Sequence, residues 1–362
     1  MRNRRPADTK RLLAIDLFAG CGGLTTGLKK AGFEVVAAIE IDPLAAKTYK
    51  QNHSQTQVWK QDIRRISAAM LAQKARLGRG RLDLLAGCPP CQAFSRMRTL
   101  NRARRIRAPK QKDLLGELLR FVRVLKPKAV MVENVPGLAK DKRWRHFVAA
   151  LRGLNYDCKY DVLNCADYFV PQRRRRLILL GSQHGTVPFA PPSVIRKTVR
   201  QSIRMLKPAG TSGDPLHDMA EKRSPRISRL IKLIPKNGGS RLDLGSRRQL
   251  PCHRKCDGFK DVYGRMEWDK VSPTITTGCF NPSKGRFLHP VANRTITLRE
   301  AALIQSFPKG YFFDLSKGKC AAAAMIGNAL PPEFVRRHAM MVRKQLRIGG
   351  ANQLQGNTRS AT

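Results

Sequence analysis

The sequence predicts an α/β protein built on a doubly wound sheet, with a second, smaller and irregular domain late in the chain. Three observations predict it. Apolar runs at 12–18, 35–39, 82–86, 128–132 and 177–180 are short and nearly continuous, as strands buried on both faces must be. Helical stretches alternate with them. From 181 to about 270 the chain turns to Pro, Gly, Ser, Lys and Arg with little helical periodicity, before helical patterns return near 298.

Length and charge bound the function. The 362 residues suffice for one large domain or two, and 42% hydrophobic content supports a substantial core. Against 25 Asp+Glu stand 70 Lys+Arg, a net charge of +45. A field of that size implies a polyanionic partner, nucleic acid before membrane, since no basic amphipathic helix with an aromatic face stands out. No apolar run has membrane-spanning length. The basic start, 1–11, leads into no signal-peptide core, so a cytoplasmic protein is expected. Nine cysteines, odd in number and scattered, fit free thiols in a reducing compartment.

Residues 1–10 read as a basic, disordered arm. The strand at 12–18 leads into a glycine turn, Ala19-Gly20-Cys21-Gly22-Gly23, and a helix over 24–31 with Leu24 and Leu28 four apart; Gly32 is its stop. The second strand ends at Glu40, 20 residues after Gly20, about where an acid reaches ribose hydroxyls in such folds. The turn has G-x-G, but Thr25 stands where a dinucleotide fingerprint needs its third glycine. A pyrophosphate wants the complete cradle at a helix N-terminus. Gly20, Gly22 and Gly23 therefore favour a nucleoside with a charged amino-acid tail, S-adenosylmethionine, over NAD. Asp42-Pro43 opens a helix over 44–52. Val58 leads to a strand end at Asp62-Ile63, where the carboxylate accepts from an adenine amino group or caps a helix. Residues 66–81 read as a basic helix and turn.

The strand at 82–86 must stop at Gly87-Cys88-Pro89-Pro90-Cys91-Gln92-Ala93-Phe94-Ser95, because two prolines continue neither helix nor central strand. The loop displays Cys91. A buried structural thiol, half a zinc site or a redox pair with Cys88 are the alternatives to a nucleophile. Zinc needs two more ligands, and there is no second CxxC or HxxxH; a redox pair usually opens a helix, which Pro-Pro followed by Gln does not. The nucleophile is preferred. Residues 96–112 follow with eight basic side chains and no acid, a pattern suited to a mobile phosphate-gripping lid. After a helix over 113–125, the strand at 128–132 ends at Glu133 beside Pro136-Gly137, a candidate acid/base group or a loop carboxylate pairing an arginine. A helix near 144–151 and a strand at 160–163 come next. Arg173, Arg174, Arg175 and Arg176 enter the strand at 177–180, and those pointing inward are expected to meet an anion or a base edge.

In the irregular region, Cys252-His253-Arg254-Lys255-Cys256 lacks the second half of a zinc site, so no metal is expected. Residues 272–278 look strand-like, 298–307 and 321–326 helical. Gly327-Asn328-Ala329-Leu330-Pro331-Pro332 is a turn, 333–346 a last amphipathic helix, and 348–362 a disordered polar tail. No internal repeat is present.

Six segments now stand in order: Asp16-Leu17-Phe18-Ala19-Gly20-Cys21-Gly22-Gly23; Pro90-Cys91-Gln92-Ala93-Phe94-Ser95; Glu133-Asn134-Val135; Gln172-Arg173-Arg174-Arg175-Arg176; Arg299-Glu300-Ala301-Ala302 with Gln305-Ser306-Phe307-Pro308; and Gly327-Asn328-Ala329-Leu330-Pro331-Pro332. Over roughly residues 11–346 the set resembles the DNA (cytosine-5)-methyltransferase family, departing mildly at Ile41, where many members carry an aromatic, and at Leu330 for valine. The resemblance implies a Rossmann-like class I methyltransferase sheet at 11–185, completed by 291–347, with a DNA-recognition domain at 186–290 between. It implies a Cys91 thiolate that adds to C6 of a flipped-out cytosine, so that C5 accepts the methyl group of S-adenosylmethionine. The arginines nearby would lower the thiol pKa. Glu133 would serve cytosine N3, with Arg174 and Arg176 beside the base and the catalytic loop. Phe18, Gly20, Gly22, Gly23, Leu24, Glu40, Asp62, Ile63, Pro90 and Asn328 would hold the cofactor. The partner would be double-stranded DNA, bound by a monomer without metal or membrane. A tRNA methyltransferase of the same architecture and an inactive DNA-binding relative are the rivals. The large basic insertion argues against the first, and intact Cys91, Glu133 and Arg176 against the second.

Overall fold

A computed structural model describes residues 11–78, 80–90, 114–254, 258 and 260–359. The arm at 1–10, Cys91 and the basic stretch to residue 112, and Cys256 lie outside them. Seven strands form one sheet: β1 (Leu12–Leu17), β2 (Phe33–Ile39), β3 (Gln57–Trp59), β4 (Leu84–Gly87), β5 (Ala129–Asn134), β6 (Asp157–Asn164) and β7 (Arg175–Ser182). Their order is β3-β2-β1-β4-β5-β7-β6. Pairing is parallel from β3 to β5, whereas β7 is antiparallel to both of its neighbours. The chain leaves β1 toward one edge and returns at β4 toward the other. The crevice beyond the C-terminal ends of β1 and β4 is thus the switch point at which such sheets bind ligands.

Alternate residues feed the two faces. Ile15, Leu17, Leu85, Val130, Val132, Leu177 and Leu179 pack under α3 (Ala68–Lys74), α4 (Leu114–Leu125) and α5 (Lys142–Gly153), whose Leu71, Phe121 and Trp144 complete that core. Ala14, Leu84, Ala86, Met131, Ile178 and Leu180 face α1 (Gly23–Lys30) and the last helix. Helix α2 (Pro43–Asn52) starts where expected, its cap Asp42 accepting from Leu44 N and Ala45 N at 2.8 and 2.9 Å.

Among the described residues between β7 and residue 290 lie five short α-helices: α6 (Val199–Ile203), α7 (Pro215–Asp218), α8 (Pro225–Leu233), α9 (Gly245–Arg248) and α10 (Pro251–Arg254). Val199, Ile203, Leu216, Met266, Ile275 and Phe287 share a core with α11 (Leu298–Ile304) and α12 (Gly318–Asn328). Leu230, Ile231, Ile234, Val262, Tyr263 and Leu288 form a smaller one. Beside it the buried Arg265 donates to the carbonyls of Ile231, Ile234, His289 and Ala292 at 2.6 to 3.1 Å.

Three local expectations need correction. Asp62 ends no strand: it caps a single 3-10 turn, Ile63–Arg65. The 272–278 segment pairs only at the Gln172–Ser272 bridge, since Pro273 brings no backbone N–H. The last helix, α13 (Pro332–Arg359), runs well past Leu346. Gly349 does not stop it. A Cβ there would come within 2.6 Å of His184, so this glycine lets the helix pass close to that side chain.

Candidate active site

Three of the residues leaving β1 have positive φ: Phe18 (61°), Gly20 (55°) and Gly22 (96°). The reversal brings Ala19 N onto Ile39 O at 3.0 Å and Gly20 N onto Glu40 Oε2 at 2.6 Å. The other oxygen of Glu40 accepts from Asp42 N at 2.8 Å, so one carboxylate ties the end of β2 to the glycine turn. Burial pushes the Glu40 carboxyl above its usual range, against the pull of those two backbone N–H groups. A side chain at Gly20 would meet nothing within 4 Å. At Gly23 a Cβ would lie 2.7 Å from Leu330 O, which shows how closely the turn after α12 approaches.

Asp16 is a site residue that the sequence reading does not assign. It is fully buried, and Thr25 Oγ1 donates to its Oδ2 at 2.7 Å. The same hydroxyl lies 2.7 Å from Tyr49 Oη. Asp16 Oδ1 has no partner, and burial raises the carboxyl to about 7. The signal was present: an acid at the end of an apolar strand, the same pattern that pointed to Glu133.

At the end of β5, the Glu133 carboxylate meets Arg176, with Nε 2.8 Å from Oε1 and both side chains largely buried. Its neighbour Asn134 donates from Nδ2 to Pro89 O at 2.8 Å. The strand end that carries the acid therefore also holds the root of the Cys91 loop. Pro90, the last described residue of that loop, is exposed. Burial, with the charges of Glu133 and Asp16, pushes the Cys88 thiol well above its ordinary range.

The arginine run divides by parity. Arg173 and Arg175 are exposed; Arg174 and Arg176 point inward. Arg174 corrects the expectation that an inward arginine meets an anion or a base. It is 2% exposed and donates to two carbonyls, Ile275 O and Gly327 O, each at 3.0 Å, while its Nε has no partner. Burial, then repulsion from Arg176, lowers its pKa to about 9. Gln172 accepts from Ile275 N at 3.0 Å and donates to Gln305 Oε1, and Gln305 donates to Ile326 O at 2.6 Å. Gln172 and Arg174 bind the sheet to the later segments, and Arg176 serves the acid.

Other candidates differ in what they offer. Phe18 is half-buried, and Asn328 is exposed at the end of α12. Leu24 and Ile63 turn their side chains into the cores, and Ile63 O accepts from Arg120 Nη2 at 2.8 Å. Asp62 pairs with Arg64 besides capping its turn. Among the described residues no group of three or more His, Cys, Asp or Glu could hold a metal ion, and no helix is long and apolar enough to cross a membrane.

The model of the C-5 cytosine-specific DNA methylase family matches residues 12–344. The Type II methylase M.HgiDII of Herpetosiphon aurantiacus is 35% identical over 347 residues, which span 92% of this chain and 95% of that protein. The Type II methyltransferase M1.HphI of Haemophilus parahaemolyticus is 32% identical, with 92% and 87% covered. Among solved structures, a prophage-encoded E. coli protein named as a DNA modification methyltransferase superposes with a TM-score of 0.66 at 23% identity, over 93% of this chain and 99% of its own. For the Dnmt2 methyltransferase of S. pombe the TM-score is 0.61 at 18% identity, over 93% and 99%, a likeness of fold. The match along nearly the whole chain, on a sheet whose switch point gathers the glycine turn, the Pro-Pro loop root and a buried acid, shows that this chain belongs to the C-5 cytosine-specific DNA methylase family and is a DNA (cytosine-5-)-methyltransferase.

Proposed function

We propose that the enzyme takes its methyl group from S-adenosylmethionine and acts on cytosine in a specific double-stranded sequence, with Cys91 as the nucleophile toward a flipped-out base. One observation carries the reading: Glu133 faces Arg176 at 2.8 Å while the adjacent Asn134 holds Pro89 O. A single strand end thus supports both the acid and the loop of the thiol.

The turn suits the cofactor. Gly20 opens onto free space, Glu40 accepts from Gly20 N at 2.6 Å, and Asp16 Oδ1 is buried without a partner. Phe18, Gly20, Gly22, Gly23 and Glu40 would hold it, with Asp62, Pro90, Asn328 and the backbone of Leu24 and Ile63 around them. S-adenosylmethionine supplies an electrophilic methyl group. Cytosine C5 is a poor nucleophile until the Cys91 thiolate forms a bond to C6 and pushes electron density into the ring. Glu133, oriented by Arg176, protonates or hydrogen-bonds N3 as that charge develops. C5 would take the methyl carbon as that carbon's bond to the sulfonium sulfur breaks and the neutral thioether leaves; loss of the C5 proton to water would then return the electron pair that expels the Cys91 thiolate.

The target base must leave the stack, at a cost of a few kcal/mol that phosphate contacts can offset. The net charge of +45 supports such contacts. We assign sequence reading to 186–290, between the catalytic portions 11–185 and 291–347. There α8 buries Leu230 and Ile231 and exposes Arg226, Arg229 and Lys232. Two relatives are named a Type II methylase and a Type II methyltransferase; we take this enzyme to be of the restriction-modification kind and to act as a cytoplasmic monomer. Incubating the enzyme with genomic DNA that lacks 5-methylcytosine, then mapping modified cytosines, tests this. One recurrent duplex motif is expected; methylation confined to RNA would contradict it.

A further inference from the structure

We propose that Tyr311 and His53 are positioning residues for the cofactor: they grip the Cys21 and Gly22 carbonyls from behind and hold the glycine turn in its binding shape. The proposal rests on the reading of residues 20–23 as the turn that takes S-adenosylmethionine.

Tyr311 Oη donates to Cys21 O at 2.6 Å. His53 Nε2 lies 3.3 Å from Gly22 O and 3.1 Å from Tyr311 Oη, and Thr26 Oγ1 donates to Gly22 O at 2.8 Å. The tyrosine hydrogen is committed to Cys21, so its oxygen accepts from His53, whose Nε2 must carry the ring hydrogen and shares it between Tyr311 Oη and Gly22 O. Burial, then Lys29, holds the His53 pKa near 4, which leaves a neutral ring with a single N–H. Gly20 and Gly22 differ accordingly. Gly20 faces open space, whereas a Cβ at Gly22 would come within 2.6 Å of both His53 Nε2 and Tyr311 Oη. One glycine leaves room; the other admits the props.

The props are themselves anchored. Asn52 exchanges two hydrogen bonds with the backbone of Phe312, each 2.9 Å, and Thr48 Oγ1 accepts from Asp314 N at 3.1 Å. Arg299 Nη1 donates to Tyr311 O at 2.9 Å while its guanidinium pairs with Asp214. The Tyr311 ring packs against Phe307 and Phe313. The end of α2 and the segment after α11 thus make one clamp on the turn. Gly20 and Gly22 reach positive φ at no steric cost and have many other conformations open to them, so hydrogen bonds to the turn's carbonyls select this one.

Calorimetric titration of S-adenosylmethionine into the full chain tests this, alongside steady-state kinetics and thermal unfolding. Tyr311→Phe removes one hydroxyl and keeps the ring. We expect its cofactor Kd and KM to rise about tenfold, with kcat at saturating cofactor within about twofold of wild type. His53→Gln, which keeps an N–H, should bind closer to wild type than His53→Leu. Tyr311→Phe binding as wild type does, or losing thermal stability with Kd unmoved, would overturn the inference alone. A wild-type chain that binds no S-adenosylmethionine would overturn the cofactor reading and this inference with it.

Discussion

Arg176 and Glu133 form a largely buried ion pair, Nε to Oε1 2.8 Å, at the meeting of β7 and β5. The acid is oriented by a partner on the neighbouring strand, close to the root of the Cys91 loop. Glu133→Gln keeps the size and a hydrogen bond but removes the acid. Turnover should fall by about 10²- to 10⁴-fold, the usual weight of a general acid–base group, with duplex binding intact. An unchanged single-turnover rate would reduce Glu133 to a loop residue.

Arg174 lies two residues away and should behave differently. It satisfies two buried carbonyls from different segments. Arg174→Met leaves both unpaired and should cost about 2 kcal/mol or more of stability. A lowered urea midpoint is the readout, together with covalent trapping retained by the folded fraction. Normal stability with lost trapping would place Arg174 at the base instead.

Asp16 yields a pH prediction. Its folded carboxyl titrates near 7 against an ordinary 3.8, because of burial, so between those values the folded state holds a proton that the unfolded state has released. Its contribution to stability is greatest below about 4 and is lost as pH rises through 7, at up to roughly 1.4 kcal/mol per unit. Asp16→Asn cannot titrate. The variant's stability relative to wild type should rise from pH 5 to pH 8 in urea unfolding. An identical difference at both would show that Asp16 holds no such proton.

Affinity and specificity should separate. Arg102, Arg104, Arg105 and Arg107 are too uniformly basic to read bases. Neutralising all four should weaken binding to every duplex and flatten the dependence of log K on log salt, with the methylated sites unchanged. Exchanging 186–290 for the same segment of a relative with another specificity should change the sites. A new recognition sequence in the arginine variant would contradict that division.

Much of this was legible in the chain. The continuous apolar runs located the core of the sheet, and Asp42-Pro43 located the start of α2. The segments that identify the family also lay in order. What escaped depends on contacts distant in sequence. The antiparallel insertion of β7 between β5 and β6 leaves no local trace, because an apolar strand reads the same in either direction. Strand parity separates Arg174 and Arg176 from Arg173 and Arg175. It does not show that one inward guanidinium finds carbonyls and the other a carboxylate. His53 and Tyr311 meet across 258 positions, and neither stands in a motif that would pair them.

A duplex carrying 5-fluorocytosine at the target should trap the wild-type enzyme covalently in the presence of S-adenosylmethionine, because fluorine cannot leave as the C5 proton does. Mass spectrometry of the trapped complex should place the adduct on Cys91. Cys91→Ser should give none, while Cys88→Ser should still trap, since the half-buried Cys88 thiol has its pKa raised well above the ordinary range by desolvation and the charge of Glu133. Trapping that persists in Cys91→Ser and disappears in Cys88→Ser would move the chemistry to the other thiol.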